Sequence, residues 1–354
     1  MKVFITGIEG YIGTVLADEL LKAGYEVAGL DVGFYREGRL YDGVKQELSI
    51  LRKDIRHIQP EDLEGFDAVV HLAELSNDPL GDLNPEAAVE IGHHGTVKTA
   101  ELARQAGVKR FIYSSSCSVY GFTEDIVDEI SPLNPLTTYA RVKVMNEKSL
   151  SELADDNFSP IILRNGTVYG ASPRMRFDLA INNLAGWAWT TKEIKMESDG
   201  APWRPFVHVL DVCEAIQAAL SAPREKIHNQ IFNAGNPSSN YQIKGIAEII
   251  GRELPGCKVS LNKDNPDKRS YRVNFSKISN QLPGFSSKRE AQDGVRELFS
   301  IFEKIGLNRE TFESRHYMRL KQIKHLQSSG QLDKNLQWMV RQAHHNRSIL
   351  SKSK

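Results

Sequence analysis

The chain has 354 residues, of which 45 are basic and 45 acidic, so its formal net charge at neutral pH is zero. This length suffices for one large domain or two smaller ones with a substantial buried core. The balanced charge gives no overall field that attracts nucleic acid or an anionic membrane, and no apolar run is long enough to cross a bilayer. We therefore expect a soluble protein with neither nucleic acid nor a membrane as a partner.

Cysteine and histidine spacing argues against a metal site. Cys117, Cys213 and Cys257 lack metal-ligand spacing, and an odd number of cysteines fits no complete set of disulfide bonds. His93 and His94 are adjacent in a predicted helix and so point in different directions. With no leader-like stretch at the N-terminus, these features predict a reducing, cytoplasmic location and no metal in the site.

The first predicted unit is a strand, a glycine-rich turn and a helix. Residues 2–6 have a strand pattern, Gly7-Ile8-Glu9-Gly10-Tyr11-Ile12-Gly13 follows, and an apolar helical pattern continues from it. In that context glycines let the backbone approach a pyrophosphate, while the helix N-terminus offers unpaired N–H groups. The alternative is a tight turn without a ligand. The cofactor contacts predicted here are Gly7, Gly10, Tyr11, Ile12 and Gly13.

An acidic residue follows the second predicted strand. That strand spans residues 26–30 and leads to Asp31, some 18 residues after the last glycine. A carboxylate at this place accepts hydrogen bonds from both ribose hydroxyls of NAD and repels the 2′-phosphate of NADP. The predicted cofactor is therefore NAD. Arg36, a few residues on, offers a partner for a 2′-phosphate and keeps NADP open as the alternative.

Strands and helices then alternate along the chain. Residues 48–51, 68–72 and 110–113 have strand patterns, and residues 85–106 have a helical pattern. This alternation predicts an α/β fold with a parallel, doubly wound sheet and ligands at the carboxyl ends of its strands. Asp54 comes just after one strand, where its carboxylate either accepts a hydrogen bond from an adenine edge or caps a turn.

A serine run and a Tyr/Lys pair suggest chemistry at the same edge. Residues 114–116 are serines at the end of a strand, and Thr137 or Thr138 can cap the helix that carries Tyr139 and Lys143. Because these two residues are four apart on a helix, the Lys143 ammonium lies near the Tyr139 phenol and is expected to lower the pKa of the phenol toward working pH. Tyr139 is therefore a candidate general base, although an isolated pair of this spacing is more often an exposed helical Tyr and Lys.

Together, these motifs resemble one known family. They are similar to the extended short-chain dehydrogenases/reductases of the NAD-dependent nucleotide-sugar epimerase/dehydratase group, over roughly residues 1–285. The markers are Thr6-Gly7-x-x-Gly10-x-x-Gly13, Asp31, Asp54-Ile55-Arg56, His71-Leu72-Ala73, Ser114-Ser115-Ser116 with Val119-Tyr120-Gly121, Tyr139-x-x-x-Lys143, Leu163-Arg164 with Tyr169-Gly170, and Arg204 with His208-Val209-x-x-Asp211. Each marker is modest alone, and their common order makes the resemblance strong.

The resemblance implies three parts and a dimer. Residues 1–171 would form a Rossmann-type domain with a doubly wound parallel sheet that binds NAD and carries the Tyr/Lys pair. Residues 172–285 would form a smaller substrate-binding α/β portion, and residues 286–354 a helical extension with a basic tail. The family further implies a homodimer built from helices around residues 85–106 and 137–154.

The resemblance also assigns roles to residues. Tyr139 would deprotonate a sugar hydroxyl, usually at C4, while Ser116 hydrogen-bonds that hydroxyl and Lys143 holds the nicotinamide ribose. The remaining cofactor contacts are expected at Asp31, Asp54, Ile55, Leu72, Ala73, Glu74 and Ser114. A nucleotide-diphosphate sugar substrate is expected at Ser116, Cys117, Asn165, Thr167, Arg204 and Arg269. The two arginines suit a diphosphate because a guanidinium fork matches phosphate geometry.

Several departures from the family pattern bear on the chemistry. Cys117-Ser118 stands where 4,6-dehydratases carry an Asp-Glu pair and decarboxylases carry a Glu in second place, which disfavours both reactions. Cys117 is then either an acid/base or a small buried residue. Glu74 replaces a usual alanine near the nicotinamide, where its carboxylate either stabilises the oxidised ring or faces solvent. Gly92 and Thr167 each replace a family asparagine, which leaves the seating of the substrate open.

These residues favour a nucleotide-sugar 4-epimerase that oxidises C4 with tightly held NAD and returns hydride to the other face of the 4-keto intermediate. The alternative is an NAD(P)-dependent dehydrogenase/reductase of keto-sugar nucleotides, which needs the same residues. A dehydratase and a non-catalytic NAD-binding sensor are less favoured, the sensor because Tyr139, Lys143 and Ser116 are all present.

The C-terminal part has an apolar stripe and an excess of positive charge. Tyr317, Leu320, Ile323 and Leu326 recur at helical spacing, which predicts a helix packed back on the domain. From residue 314 onward there are nine Lys/Arg and one acid. A solvated basic tail is the default interpretation, contact with a partner or an anionic surface is the alternative, and the last four residues are expected to be disordered.

Overall fold

The structure is a computed structural model that describes residues 1–43, 48–196, 198–262 and 269–339. Two expectations lie outside the described residues, namely the part of the basic tail beyond residue 339 and the disorder of the last four residues. Within the described ranges, no helix is both long and apolar enough to cross a membrane.

Strands and helices alternate through most of the chain. The strands of the described residues are β1 (Lys2–Thr6), β2 (Glu26–Asp31), β3 (Ser49–Arg52), β4 (Ala68–His71), β5 (Arg110–Ser116), β6 (Phe122–Val127), β7 (Ser159–Asn165), β8 (Thr167–Tyr169), β9 (Glu193–Met196), β10 (Trp203–His208), β11 (Gln230–Ala234), β12 (Asn240–Gln242), β13 (Lys258–Leu261) and β14 (Ser270–Val273). The α-helices are α1 (Tyr11–Lys22), α2 (Asp78–Leu83), α3 (Pro85–Val89), α4 (Gly95–Gln105), α5 (Thr138–Glu152), α6 (Ala180–Thr191), α7 (Val209–Ser221), α8 (Arg224–Ile227), α9 (Ile243–Glu253), α10 (Ser276–Gln281), α11 (Ala291–Lys304), α12 (Arg309–Glu313) and α13 (Arg319–Ser328).

Seven of these strands form one parallel sheet in the order β11-β7-β5-β4-β1-β2-β3. The chain moves outward from β1 to β3 on one side and from β4 to β11 on the other, which confirms the predicted doubly wound parallel sheet. Because the direction changes between β1 and β4, a crevice opens there at the carboxyl ends of the strands. The edge strand β11 comes from beyond residue 171, so the sheet draws on both of the first two predicted parts.

Two apolar layers cover the two faces of this sheet. In β1, Val3 and Ile5 belong to one buried cluster and Phe4 belongs to the other. The side chains divide in this way because successive residues of a strand point to opposite faces. With both faces covered, the loops at the carboxyl edge are left to form a site.

A π-helical turn interrupts the helix predicted over residues 85–106. The turn, Glu90–His94, lies between α3 and α4. Gly92 in this turn faces α5, and an added Cβ there would lie 2.8 Å from Cγ1 of Val142. Glycine therefore lets this segment approach the helix that carries the Tyr/Lys pair more closely than a larger residue would.

The C-terminal extension packs back on the domain, as its apolar stripe predicts. Ile323 and Leu326 of α13 are buried in the same layer as Phe4. Beyond α13, the Trp338 indole N–H donates a hydrogen bond to the Val32 carbonyl at 2.9 Å, in the loop after β2. Up to residue 339, the extension is thus docked beside the carboxyl edge of the sheet.

Candidate active site

The glycine-rich turn brings the backbone of β1 close to the start of α1. Gly7 has φ +72°, in the left-handed region, and an added Cβ at Gly13 would lie 2.3 Å from the Gly7 carbonyl oxygen. Helix α1 begins at Tyr11, so the unpaired N–H groups of its first turn lie at the carboxyl end of β1. This arrangement suits a pyrophosphate group.

A cavity of about 820 Å³ lies along the carboxyl edge of the sheet. Except for Cys117, every residue predicted to contact cofactor or substrate lines it. Those residues are Gly7, Gly10, Tyr11, Ile12, Gly13, Asp31, Asp54, Ile55, Leu72, Ala73, Glu74, Ser114, Ser116, Tyr139, Lys143, Asn165, Thr167, Arg204 and Arg269. Segments from the first strand to the last thus meet in one crevice.

The two acids predicted for the adenosine end make local hydrogen bonds. Asp31 accepts from the backbone N–H groups of Glu9 at 3.1 Å and Gly33 at 2.8 Å. Burial raises the pKa of Asp31, and the charge of Glu9 raises it further. Asp54 caps the short turn that follows it and pairs with Arg56 at 2.5 Å, as the turn-capping alternative describes.

The three predicted catalytic side chains lie together. Thr137 caps α5 through its side chain and so defines where the helix with Tyr139 and Lys143 begins. Lys143 Nζ lies 5.4 Å from the centre of the Tyr139 ring and donates to the Ser114 carbonyl at 2.6 Å. Burial raises the pKa of Tyr139, and the Lys143 charge and a hydrogen bond with Ser116 oppose that rise without cancelling it, so the net lowering expected from the sequence is not found.

Glu74, which departs from the family pattern, is turned inward. Its side chain is 4% exposed, and Oε2 lies 2.7 Å from Lys143 Nζ. Oε1 accepts hydrogen bonds from the Tyr113 hydroxyl at 2.7 Å and from the Asn146 amide at 3.1 Å. The alternative in which Glu74 faces solvent is therefore wrong, because the carboxylate is buried against the lysine.

Cys117 lies outside the cavity wall. Its thiol is fully buried and donates to the Arg164 carbonyl at 3.1 Å, and burial raises its pKa. The expected substrate contact at Cys117 is thus corrected, because the chain enters a tight turn after Ser116 that directs the thiol into the core. Ser116 and Ser118, on either side, line the cavity instead.

The arginines predicted for the diphosphate are linked to the catalytic helix. Arg204 on β10 is 7% exposed and donates to the backbone carbonyl of Arg269. The Arg269 guanidinium pairs with Asp78, whose other carboxylate oxygen accepts from the Thr137 hydroxyl at 2.6 Å. Because Thr137 caps α5, these contacts couple the position of both arginines to that of the predicted base.

The cavity wall includes charged residues that the sequence did not single out. Arg176 is 6% exposed and pairs with Asp178 at 2.9 Å. Arg319, at the start of α13, has its guanidinium 3.8 Å from the centre of the Tyr35 ring. The sequence counted Arg319 in a solvated basic tail, and its burial depends on how the extension docks, which no local pattern reveals.

Comparison with known proteins identifies the family. A family model described as the NAD dependent epimerase/dehydratase family matches residues 3–235. The chain belongs to the NAD dependent epimerase/dehydratase family. The resemblance inferred from the sequence motifs is thereby confirmed.

Proteins named as epimerases are among the relatives of this family member. The UDP-glucose 4-epimerase of Bacillus subtilis (strain 168) is 28% identical over 293 residues, which cover 72% of this chain and 84% of the relative. The UDP-glucuronate 4-epimerase of Thermodesulfobacterium geofontis (strain OPF15) is 27% identical over 295 residues, or 78% and 87% of the two chains. A structure of the UDP-glucuronic acid 4-epimerase from Bacillus cereus, in complex with UDP-glucuronic acid and NAD, matches with a TM-score of 0.74 and 25% identity, over 86% of this chain and 100% of that one.

NAD is the cofactor of this epimerase/dehydratase, and the residues of the cavity suit it. The N–H groups of the first turn of α1, directly after the glycine turn, are available to a pyrophosphate, and Asp31 ends β2 where the adenosine ribose lies in such folds. An ammonium has three N–H donors, and the described contacts of Lys143 go to the Ser114 carbonyl and the Glu74 carboxylate. Its third donor would hold the nicotinamide ribose.

Replacing Asp31 should weaken NAD binding. We expect Asp31→Asn to raise the Kd for NAD about tenfold, because charge-assisted hydrogen bonds to the ribose become neutral ones. The same variant should also reduce the ratio of the Kd for NADP to the Kd for NAD, since the carboxylate that repels the 2′-phosphate of NADP is lost. Glu26→Gln is the control because Glu26 stands at the other end of the same strand with a side chain that is 72% exposed. Calorimetric titration that finds equal effects for both variants would contradict the assignment.

Proposed function

We propose that this protein is a UDP-sugar 4-epimerase that works with NAD retained in the cavity. The observation that carries the proposal is the Tyr139–Lys143 pair with Ser116, in the same cavity as the glycine turn and the two arginines. A phenolate in that position can take up a proton, and the phenol so formed can return it. An epimerase needs both steps within one turnover.

The side chains divide the work in the following way. Bound in this cavity, NAD would supply the acceptor and then the donor of the C4 hydride. Tyr139 as the phenolate accepts the proton of the C4 hydroxyl, and the Ser116 hydroxyl hydrogen-bonds the same oxygen. Lys143 stabilises the phenolate by its charge. The keto sugar then rotates in the site so that the hydride returns to its other face. Tyr139 gives the proton back to the C4 oxygen, so the cycle consumes no external acid or base.

The C-terminal extension supports retention of the cofactor. Glu313 and residues 318–321 line the cavity. Further along, Trp338 is hydrogen-bonded to Val32 next to Asp31, which holds the loop after β2 in place. A cofactor enclosed by this segment need not exchange with solution, which favours epimerisation over a net oxidation or reduction.

The substrate class is proposed from the relatives and the arginines. Both curated relatives are named for 4-epimerisation of UDP-sugars, UDP-glucose in one and UDP-glucuronate in the other. Arg204 and Arg269 line the same cavity as Tyr139 and provide guanidinium groups for a diphosphate. Dehydration is disfavoured because Cys117 and Ser118 offer no carboxyl group for the loss of water.

The experiment is to incubate the NAD-loaded protein with a panel of UDP-, dTDP-, GDP- and CDP-sugars and to record the mass and chromatographic position of each product. The proposal predicts an unchanged mass at a new position, with a UDP-sugar as the best substrate. A product lighter by one water would overturn it in favour of dehydration. A change of two hydrogens with stoichiometric NADH would overturn it in favour of a dehydrogenase/reductase.

We further propose the three-part division of the chain and a cytoplasmic homodimer. The copies would contact each other through the helices around residues 85–106 and 137–154. Residues 172–285 would seat the sugar nucleotide, which Arg204 on β10 supports because it lies in the cavity wall. Met145 on α5 is 39% exposed, so an apolar contact on this helix is available to a second copy. Sedimentation analysis should show twice the chain mass, and a monomer at micromolar concentration would contradict the dimer.

A further inference from the structure

Glu74, which is buried against Lys143, has no role in the cycle described so far. Both side chains are nearly inaccessible, at 4% and 6% exposed, and their charged atoms lie 2.7 Å apart. A buried carboxylate is costly unless it is paired and hydrogen-bonded. Glu74 satisfies this requirement with the catalytic lysine and with hydrogen bonds from Tyr113 and Asn146. The chain thus maintains a negative charge directly beside its catalytic ammonium.

Other ionisable groups face this pair from the elements packed around it. They are His71 on β4, Asp78 on α2 through Tyr139, His93 in the π turn through Asn146, Tyr113 on β5, and Tyr139 and Glu147 on α5. Glu147 has its own counter-charge in Arg164, and Asp78 has one in Arg269. Burial, and then the charge of Lys143, lowers the pKa of His71 to about 3, so His71 is neutral. Among the described groups, Glu74 is therefore the carboxylate whose counter-charge is the catalytic lysine itself.

The formal charges of the reacting groups show what this carboxylate does. Before the reaction, phenolate, ammonium, carboxylate and oxidised nicotinamide carry two negative and two positive charges. After it, the phenol and the reduced nicotinamide are neutral, and ammonium and carboxylate cancel. With Glu74 the group is neutral in both states. Without it, one positive charge is uncompensated in both states, in a buried site where such a charge is poorly solvated.

We propose that Glu74 is a positioning residue that holds Lys143 and balances the charge of the reacting groups, and that its carboxylate makes the cavity favour oxidised over reduced NAD. The carboxylate attracts the cationic form of the nicotinamide and has no such attraction for the neutral form. It also opposes the effect of Lys143 on Tyr139, which keeps the phenol able to hold the proton during the reaction. The proposal deepens the proposed function and relies on it only for the role of Tyr139.

The test compares Glu74→Gln and Glu74→Ala with the unchanged protein, in two measurements that need no sugar. In the first, calorimetry gives the Kd values for NAD and NADH. We expect the ratio of these Kd values to move about tenfold in favour of NADH, the effect of a unit charge at several ångströms in a partly screened interior. In the second, ultraviolet difference titration against the matching Tyr139→Phe variant isolates the phenol. We expect its ionisation constant to rise about tenfold.

Two further variants separate charge from structure. Glu74→Asp keeps the charge and should keep both values near those of the unchanged protein. Tyr113→Phe removes a hydrogen bond from an uncharged donor but leaves the Glu74 charge in place, so the NAD/NADH ratio should stay within about twofold. The proposal would be overturned if folded Glu74→Gln or Glu74→Ala protein kept the original NAD/NADH ratio of Kd values and the original ionisation constant of the Tyr139 phenol. It would also be overturned if Tyr113→Phe shifted both quantities as much as the Glu74 variants do. Because no sugar is present, a failure here is distinct from a failure of the epimerase proposal.

Discussion

Tyr139→Phe should reduce the rate of UDP-sugar epimerisation about a thousandfold, the usual scale for loss of a general acid/base. The phenylalanine ring keeps the shape of the side chain but has no oxygen to take the C4 hydroxyl proton. Because the Lys143 ammonium and the glycine turn are unchanged, NAD binding should stay within about threefold of the original. Initial rates at saturating substrate, together with calorimetric Kd values for NAD, check both expectations.

Tyr25→Phe is the matched control for this variant. Tyr25 precedes β2 and packs against the apolar layer that contains Val3, so it carries the same phenol outside the cavity wall. Its replacement should leave the epimerisation rate unchanged. If Tyr139→Phe retained more than about a tenth of the rate, Tyr139 would not be the proton acceptor, and the proposed cycle would be wrong.

Glu147→Gln should lower the free energy of unfolding by about 3–5 kcal/mol, the usual cost of removing one partner of a buried ion pair. Glu147 on α5 pairs with Arg164 on β7 at 2.7 Å, and their side chains are 4% and 3% exposed. The Ser115 hydroxyl donates to the same carboxylate at 2.5 Å. The substitution leaves the Arg164 charge buried without its counter-charge, and urea denaturation measures the loss.

An exposed ion pair on the same helix provides the control. Glu152 lies 4.0 Å from Lys148, and both side chains are largely exposed. Glu152→Gln makes the same chemical change, and we expect it to alter the free energy of unfolding by less than about 1 kcal/mol because water already solvates the pair. Similar losses for the two variants would show that burial does not govern the effect.

The parts of the site that the sequence predicts are those encoded in short segments. The turn from Gly7 to Gly13 follows from its place between a strand and a helix, and Asp31 follows from its place at the end of the next strand. Tyr139 and Lys143 lie together because residues four apart share a face of a helix. The doubly wound sheet follows from the alternation of strands and helices, which the parallel pairing of seven strands confirms.

The parts that the sequence left open depend on contacts between distant segments. The partner of Glu74 is Lys143, which lies on a different element, so no local pattern distinguished burial from exposure. The direction of the Cys117 thiol depends on the turn after β5 and on the Arg164 carbonyl, which belongs to β7. Arg319 reaches the cavity wall only because the C-terminal extension docks beside the loop that follows β2.

The most direct test of the central claim uses UDP-glucose that carries deuterium at C4. The NAD-loaded protein is incubated with this substrate in ordinary water, and the product is separated and weighed by mass spectrometry. We predict a 4-epimer that keeps its deuterium, because the hydride removed from C4 returns to the same carbon from retained NAD. Deuterium appearing in free NADH, with a keto sugar as the product, would contradict the account and establish a dehydrogenase instead.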